Sequence, residues 1–364
     1  MREALISPSA ISSNVEMLKA MTVHQKMLVV VKADGYGHGA LTSANAAIDG
    51  GADWLGTADV EEALSLRKSG ISVPILAWLF GPREDLREAV EKNVDLGVSS
   101  VSQLRQVASS AQAKNPARIH LKVDTGLGRS GADPREWEDL FESAKVLQAE
   151  GSVYVVGLFT HLSGTTLIDD AAQGALFRKA HDALASKGVN PELLHVVSST
   201  GASDLPDLGH GMVRVGAAAY GIPVTERYRS AGLRPAMRVR AQLILVKRVA
   251  KGLGVGYGHA YRTSSETNLG LVPLGYADGI PRHALNSGPV TIDGKRFLVS
   301  GRISMDQFSV DFGQFCPREG DWVTLWGDPD LGEPSVEDWA ASAGTIAYEI
   351  VSRVGPRLHR VVVQ

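Results

Sequence analysis

Residues 27–39 have the sequence MLVVVKADGYGHG, an uninterrupted apolar run followed by a lysine and a glycine-rich stretch. Apolar runs without polar alternation are typical of parallel strands that are buried on both faces. Similar runs recur up to about residue 221, with segments of helical periodicity between them. They are ADWLG (52–56), PILAWLF (74–80), VDLGV (94–98), ARIHLKV (117–123), VYVVGLF (153–159), LLHVV (193–197) and VRVGAAAYG (213–221). About eight such strands predict an α/β fold with an N-terminal (β/α)8 barrel.

The character of the sequence changes beyond residue 226, where long runs of β-forming residues are separated by glycine-rich turns. Asp293-Gly294 lies between two of these runs and predicts the tip of a hairpin. Only residues 335–343, which open with Ser335 as a cap, have a clear helical pattern in this part. We therefore expect a barrel domain over 1–226 and a mainly β domain over 227–364.

Composition excludes several classes of function. The 364 residues are 44% hydrophobic and 21% charged, with a formal net charge of −3, so neither nucleic acid nor an anionic membrane surface is an expected partner. Cys316 is the only cysteine, which rules out an intrachain disulfide and a cysteine-rich zinc site. No signal-peptide pattern or membrane-spanning apolar run occurs. We expect a cytoplasmic protein that acts on a small molecule and holds no metal.

Chemistry in such a barrel is expected at the carboxyl ends of the strands. Lys32 ends the first apolar run, where partial desolvation lowers the pKa of an amine and makes it a nucleophile toward an aldehyde. A lysine that only extends to the barrel rim is the alternative. The following glycines favour a ligand site because they let the backbone approach a ligand closely, and Tyr36 could bond a phosphate oxygen.

The segment VVVKADGYGHG (29–39) is similar to the cofactor-lysine motif of the alanine racemases, which use pyridoxal phosphate. Further segments resemble that family in the same order, so the likeness covers nearly the whole chain. They are LKVDTGLGRSG (121–131), GLFTHLSG (157–164), LLHVVSSTGA (193–202), MVRVGAAAYG (212–221), GYADGIPR (275–282), GRISMDQ (301–307) and YEIVSRVGPR (348–357). The family fold, a barrel followed by a β domain, agrees with the expectation from the apolar runs.

The resemblance implies interconversion of L-alanine and D-alanine, which supplies D-alanine for bacterial peptidoglycan. Lys32 would carry the cofactor and act as one base, and Tyr276 would be the second base on the opposite face of the substrate. His161 and Arg214 would assist this tyrosine, although without the family a packed aromatic residue at a strand end is the simpler interpretation of Tyr276. The family also implies a homodimer in which each site takes Lys32 from one chain and Tyr276 from the other.

The same resemblance assigns the cofactor contacts. Arg214 would face the pyridine nitrogen and, as a permanent cation, keep that nitrogen unprotonated. The phosphate contacts would come from Tyr36, Ser199 and the backbone N–H groups of Gly216 and Ala217. Ser198-Ser199-Thr200 could instead be an ordinary helix cap.

Substrate contacts follow in the same way. Arg129 would orient the carboxylate of alanine together with the backbone N–H of Met305. Lys122 matches a lysine that is carbamylated in many members, where the carbamate holds the arginine. At the C-terminus the alignment places Pro356 where some members have an entrance tyrosine, so either another residue replaces it or the entrance is wider.

Three other functions are compatible with parts of the sequence. An amino-acid decarboxylase that uses pyridoxal phosphate is disfavoured by Arg214 and by the lack of a cysteine-centred motif in the β domain. A non-catalytic pyridoxal-phosphate carrier would need only the barrel. A sugar-phosphate barrel enzyme accounts for neither GYADGIPR nor GRISMDQ.

Overall fold

The computed structural model describes residues 1–22, 26–112, 115–198 and 211–364. The chain begins with strand β1 (Arg2–Ile6) and helix α1 (Pro8–Met21), which leads into the barrel. Helix α1 starts where the Ser7 hydroxyl accepts a hydrogen bond from the N–H of Ala10. A proline in its first turn suits this start because the missing N–H has no partner there anyway.

An eight-stranded parallel sheet forms the N-terminal part, with the strand order β8-β7-β6-β5-β4-β3-β2-β9. Its strands are β2 (Lys26–Val30), β3 (Trp54–Asp59), β4 (Ile75–Leu79), β5 (Val94–Val98), β6 (Ala117–Lys122), β7 (Val153–Phe159), β8 (Leu193–His195) and β9 (Met212–Val215). Strand β9 returns to β8, because the N–H groups of Gly211 and Arg214 donate to the carbonyls of Leu194 and Val197 at 3.1 Å. The sheet therefore nearly closes into a barrel, and the predicted strands are confirmed.

Helices cover the outside of this barrel. They are α2 (Ala40–Asp49), α3 (Val60–Lys68), α4 (Arg87–Glu91), α5 (Val101–Ser109), α6 (Trp137–Ala149) and α7 (Leu167–Ser186). The expected acidic cap of α3 is confirmed, since the Asp59 carboxylate accepts from the N–H of Glu62 at 2.9 Å. No helix among the described residues is long and apolar enough to cross a membrane.

The C-terminal part is mainly β. A six-stranded sheet has the order β16-β15-β18-β10-β1-β19, beside a three-stranded sheet β11-β14-β17 and a two-stranded sheet β12-β13. The strands are β10 (Met237–Gln242), β11 (Leu245–Val249), β12 (Gly254–Val255), β13 (Tyr261–Arg262), β14 (Thr267–Val272), β15 (Pro289–Ile292), β16 (Lys295–Leu298), β17 (Phe308–Asp311), β18 (Trp322–Trp326) and β19 (His359–Val362). The helices are α8 (Glu226–Ser230), α9 (Val336–Ala343) and α10 (Ala347–Ser352).

Two local predictions for this part are confirmed, and several features differ from expectation. Asp293 and Gly294 have φ of 48° and 69° and join β15 to β16, and Ser335 caps α9. The run 237–250 is divided between two sheets, and neither α8 nor α10 was predicted. The six-stranded sheet also includes β1, which is antiparallel to β10 and parallel to β19.

Candidate active site

A left-handed turn, Lys32–Tyr36, follows strand β2. The φ angles are 53° at Ala33, 53° at Asp34, 61° at Gly35 and 53° at Tyr36. This conformation costs roughly 1–2 kcal/mol for each residue that carries a side chain, so it persists only where surrounding contacts hold it.

Contacts from both parts of the chain hold this turn. The Glu62 carboxylate accepts from the N–H of Ala33 at 2.6 Å and from that of Ala58 at 2.8 Å. Arg360 of β19 donates to the carbonyl of Gly37 at 2.9 Å. The lysine that opens the turn is thereby fixed at the carboxyl end of β2, where barrel chemistry is expected.

Lys32 lines a cavity of about 370 Å³ at this end of the barrel. The cavity also receives most of the residues that the sequence predicted. These are Lys32, Tyr36, Lys122, Arg129, His161, Arg214, Gly216 and Ala217. Ser199 lies outside the described residues, although its neighbour Ser198 lines the cavity.

Arg214 is buried and strongly hydrogen-bonded. Its Nη1 donates to the carbonyl oxygen of His195 at 2.8 Å and to the Nδ1 of the same residue at 2.9 Å. Its Nη2 donates to the carbonyl of Thr160 at 2.7 Å and contacts Nδ1 of His161 at 3.4 Å. Burial lowers the pKa of Arg214 to about 10. The guanidinium therefore stays positively charged at neutral pH and acts only as a donor.

Basic groups crowd the cavity, and this crowding shifts their protonation. Burial and the charge of Arg129 lower the pKa of Lys32. Burial, Arg214 and Arg129 lower the pKa of Lys122 to about 8, and its amine donates to the Ser130 hydroxyl at 2.6 Å. Burial and the same two arginines lower the pKa of His161 to about 3. The histidine is therefore neutral at pH 7, whereas Lys122 is mostly protonated at that pH, with about a tenth of it neutral.

One end of the cavity is built from tyrosines and a glycine. A Cβ atom on Gly216 would lie 2.6 Å from the Tyr36 hydroxyl, so the chain approaches the phenol closely only because residue 216 is glycine. The Tyr36 ring packs between Tyr220 and Tyr348, with ring centroids 4.9 Å and 6.3 Å away.

Tyr348, on α10, is a residue that the sequence reasoning missed. It lines the cavity, as does Ser352, whereas Pro356 is not among the described lining residues. The expectation of a missing hydroxyl at Pro356 is therefore corrected, because the first turn of a short unpredicted helix brings a tyrosine to the cavity. This helix has six residues, too few to show a clear helical period in the sequence.

Tyr276 and Met305 lie together but do not line the cavity of Lys32 among the described residues. The N–H of Tyr276 donates to the Ser304 carbonyl at 3.1 Å, and the N–H of Ala277 donates to the Met305 carbonyl at 3.0 Å. Tyr276 is 40% exposed and Met305 is 53% exposed. The two predicted bases are thus not brought together within one chain.

Comparison with known proteins agrees with this architecture. Residues 6–223 match the family model "Alanine racemase, N-terminal domain", and residues 236–362 match "Alanine racemase, C-terminal domain". The alanine racemase of Salinispora tropica is 46% identical over 97% of this chain and 95% of its own length. That of Thermobifida fusca is 45% identical over 99% and 97%.

Solved structures give the same result. The alanine racemase of Streptomyces coelicolor superposes with a TM-score of 0.97 at 46% identity, covering 100% of this chain and 98% of its own. That of Streptomyces lavendulae has a TM-score of 0.97 at 44% identity, covering 100% and 97%. Fold and cavity define a barrel enzyme with a cationic site at the carboxyl ends of its strands. The chain belongs to the alanine racemase family.

Proposed function

We propose that this chain interconverts L-alanine and D-alanine with pyridoxal phosphate held on Lys32, and that the product D-alanine serves peptidoglycan synthesis. The observation that carries the proposal is the position of Lys32. This amine, whose pKa is lowered, shares a cavity with a buried arginine that can only donate hydrogen bonds. Lowering the pKa of an amine increases the share of its neutral form, which is the form that attacks an aldehyde.

The residues of the cavity fit this cofactor. The Tyr36 hydroxyl and the chain at Gly216 and Ala217 suit a phosphate group, and Tyr348 adds a second hydroxyl on the same side. Arg214 suits the ring nitrogen, since it donates and cannot accept a proton. When bound, pyridoxal phosphate supplies the electron-withdrawing ring that makes the Cα–H of alanine acidic enough to break.

Two side chains would move the proton at Cα. Lys32 serves one face, and Tyr276 of the partner subunit serves the other, because a single base cannot easily reach both. His161 is neutral and lies beside Arg214, so one of its two ring nitrogens carries a proton that it can donate toward the phenol.

Other residues would hold the substrate. Arg129 binds the carboxylate of alanine through its planar pair of donors, together with the backbone N–H of Met305 of the partner subunit. Lys122 is carbamylated, which turns a cation into an anion beside Arg129. The lowered pKa of Lys122 supports this modification because only the neutral amine reacts with carbon dioxide.

The dimer with shared sites is part of this proposal. Tyr276 and Met305 are exposed on the surface of a chain whose own cavity they do not line. A two-fold dimer can bring this surface to the barrel mouth of the other chain. In this arrangement residues 1–226 bind the cofactor and residues 227–364 supply the second base.

The direct test is to incubate the purified protein with L-alanine and follow the optical rotation, with and without added pyridoxal phosphate. We expect the rotation to decay to zero, faster with the cofactor. Release of carbon dioxide would support a decarboxylase instead. Retained rotation in protein that binds pyridoxal phosphate would contradict the proposal.

A further inference from the structure

A line of buried polar side chains crosses the barrel interior from Arg214. Nη1 of Arg214 contacts Nδ1 of His195 at 2.9 Å, and Nε2 of His195 contacts Nδ1 of His120 at 2.8 Å. Nε2 of His120 contacts a carboxylate oxygen of Asp95 at 3.2 Å. Arg118 pairs with both oxygens of Asp95, at 2.8 and 3.2 Å. Strands β5, β6, β8 and β9 each contribute to this line, which we call the relay.

One chemical fact sets the direction of every link in the relay. Arginine has no acceptor, so Nδ1 of His195 must accept and its single proton must lie on Nε2. His195 therefore donates to Nδ1 of His120, which places the proton of His120 on its own Nε2. That proton is donated to Asp95, so both imidazoles are neutral. Burial and the charge of Arg214 also lower the pKa of His195, in agreement with this state.

The barrel wall is shaped around these imidazoles. A Cβ atom on Gly157 of β7 would lie 2.2 Å from Nδ1 of His120, so glycine leaves the room that this ring occupies. Phe159 stacks on His195 with ring centroids 4.7 Å apart and planes 4° apart. Trp54 contacts His120 edge-on at 5.5 Å. The ring planes are fixed as well as the hydrogen bonds.

Burying such a line of polar side chains costs folding free energy, because a barrel core is ordinarily filled by branched apolar residues. The side chains of His120 and His195 are completely buried, and that of Asp95 is 1% exposed. A buried ion pair rarely stabilises a fold more than apolar residues of similar volume would. A role in positioning Arg214 accounts for the presence of these residues.

We propose that His195, His120 and Asp95 form a polarised relay that holds the Arg214 guanidinium in place as a donor toward the cofactor ring. The inference rests on the proposed role of Arg214 in the cavity. His120 and Asp95 are positioning residues, which act only through His195 and Arg214. Reversed polarity would set an N–H of His195 against an N–H of Arg214 and push the guanidinium away.

The test compares three variants with a matched control. His120→Leu removes both hydrogen bonds of the imidazole, whereas His120→Gln restores one acceptor and one donor. Gly157→Ala displaces the ring without removing any polar group. His181→Leu is the control, since His181 lies on α7 outside the barrel and pairs with its neighbour Asp182.

Two measurements report on the relay besides activity. The ¹⁵N shifts of the histidines in cofactor-free wild-type protein should show Nε2-protonated, neutral His195 and His120. The absorbance spectrum of the bound cofactor should shift in His120→Leu and Gly157→Ala, and kcat should fall roughly tenfold with little change in KM, as when a supporting partner of a site ligand is lost. His120→Gln should recover the wild-type spectrum, and the control should not depart from it.

Three outcomes would contradict the relay, and they distinguish its failure from failure of the proposed role of Arg214. An Nδ1-protonated His195 in the wild type overturns the relay, even if His120→Leu does not fold. An unchanged spectrum and kcat in folded His120→Leu and Gly157→Ala also overturn it, provided that Arg214→Leu alters the spectrum. An unaltered spectrum in Arg214→Leu contradicts the proposed role of Arg214, and with it the relay.

Discussion

The Asp278 carboxylate stabilises the turn that contains Tyr276 by accepting hydrogen bonds, and replacing Asp278 should destabilise that turn. The Asp278 side chain is completely buried. One carboxylate oxygen accepts from Arg2 at 3.0 Å and from Nε of Arg357 at 2.8 Å. The other accepts from Nη2 of Arg357 at 2.8 Å and from the N–H of Gly275 at 2.9 Å. In Asp278→Asn, the new NH2 group faces two donors whichever way the amide is turned.

The magnitude follows from those contacts. A hydrogen bond to a charged group contributes about 1.5–3 kcal/mol, so the two conflicts give roughly 3–6 kcal/mol. The arginines are 18% and 40% exposed, and solvent screening reduces the loss to about 2–3 kcal/mol of unfolding free energy. The turn of Tyr276 should also move, so racemisation should slow while cofactor binding in the barrel stays intact.

Urea-induced unfolding, racemase activity and cofactor absorbance check these three expectations. Asp306→Asn is the matched control, because Asp306 pairs with the same Arg357 at 2.6 Å but is 57% exposed. We expect a much smaller stability loss in this control. Equal losses of unfolding free energy in the two variants would refute the reasoning. So would an Asp278→Asn protein that has lost bound cofactor but keeps the wild-type turnover for each cofactor that remains bound.

Three further predictions concern the cavity. Gly216→Ala places a methyl group 2.6 Å from the Tyr36 hydroxyl, and this overpacking should lower the unfolding free energy by about 1–3 kcal/mol in urea. The displaced hydroxyl should also raise the cofactor Kd in equilibrium dialysis, and an unchanged Kd would contradict a phosphate contact from Tyr36. Tyr348→Phe removes one hydroxyl and should raise the same Kd by roughly 2- to 10-fold, and an unchanged value would place the tyrosine outside cofactor binding. Lys122 is mostly protonated below its pKa of about 8 and mostly neutral above it. Uptake of ¹³C-labelled carbon dioxide by Lys122, measured by NMR, should therefore rise from pH 7 to pH 9. Uptake that does not change with pH would contradict carbamylation.

The barrel could be predicted because its signals are local. Each buried strand is a short apolar run, and the caps at Asp59 and Ser335 lie next to the helices that they start. The Asp293-Gly294 turn is equally local, since both residues tolerate positive φ.

Features set by distant contacts could not be predicted in this way. Strand β1 pairs with β10 and β19, far along the chain, and nothing in its five residues indicates those partners. Ala33 has no intrinsic preference for positive φ, and its conformation depends on Glu62. Helix α10 spans only six residues, too few for a clear period, so Tyr348 was missed.

The relay did leave a signal in the sequence. Asp95, His120 and His195 are polar residues inside the apolar runs VDLGV, ARIHLKV and LLHVV. A polar residue within a strand buried on both faces must find a partner in the barrel interior. What the sequence lacks is the register that brings those three residues into line.

The most direct test of the central claim is complementation between chains. Unfolded Lys32→Ala and Tyr276→Phe chains would be mixed in equal amounts and refolded together, and the formation of hybrid dimers confirmed separately. Each variant alone should be nearly inactive, while the mixture should recover about a quarter of wild-type activity, since about half of the dimers are hybrids with one intact site of two. No recovery in proven hybrids would show that each site is built within one chain.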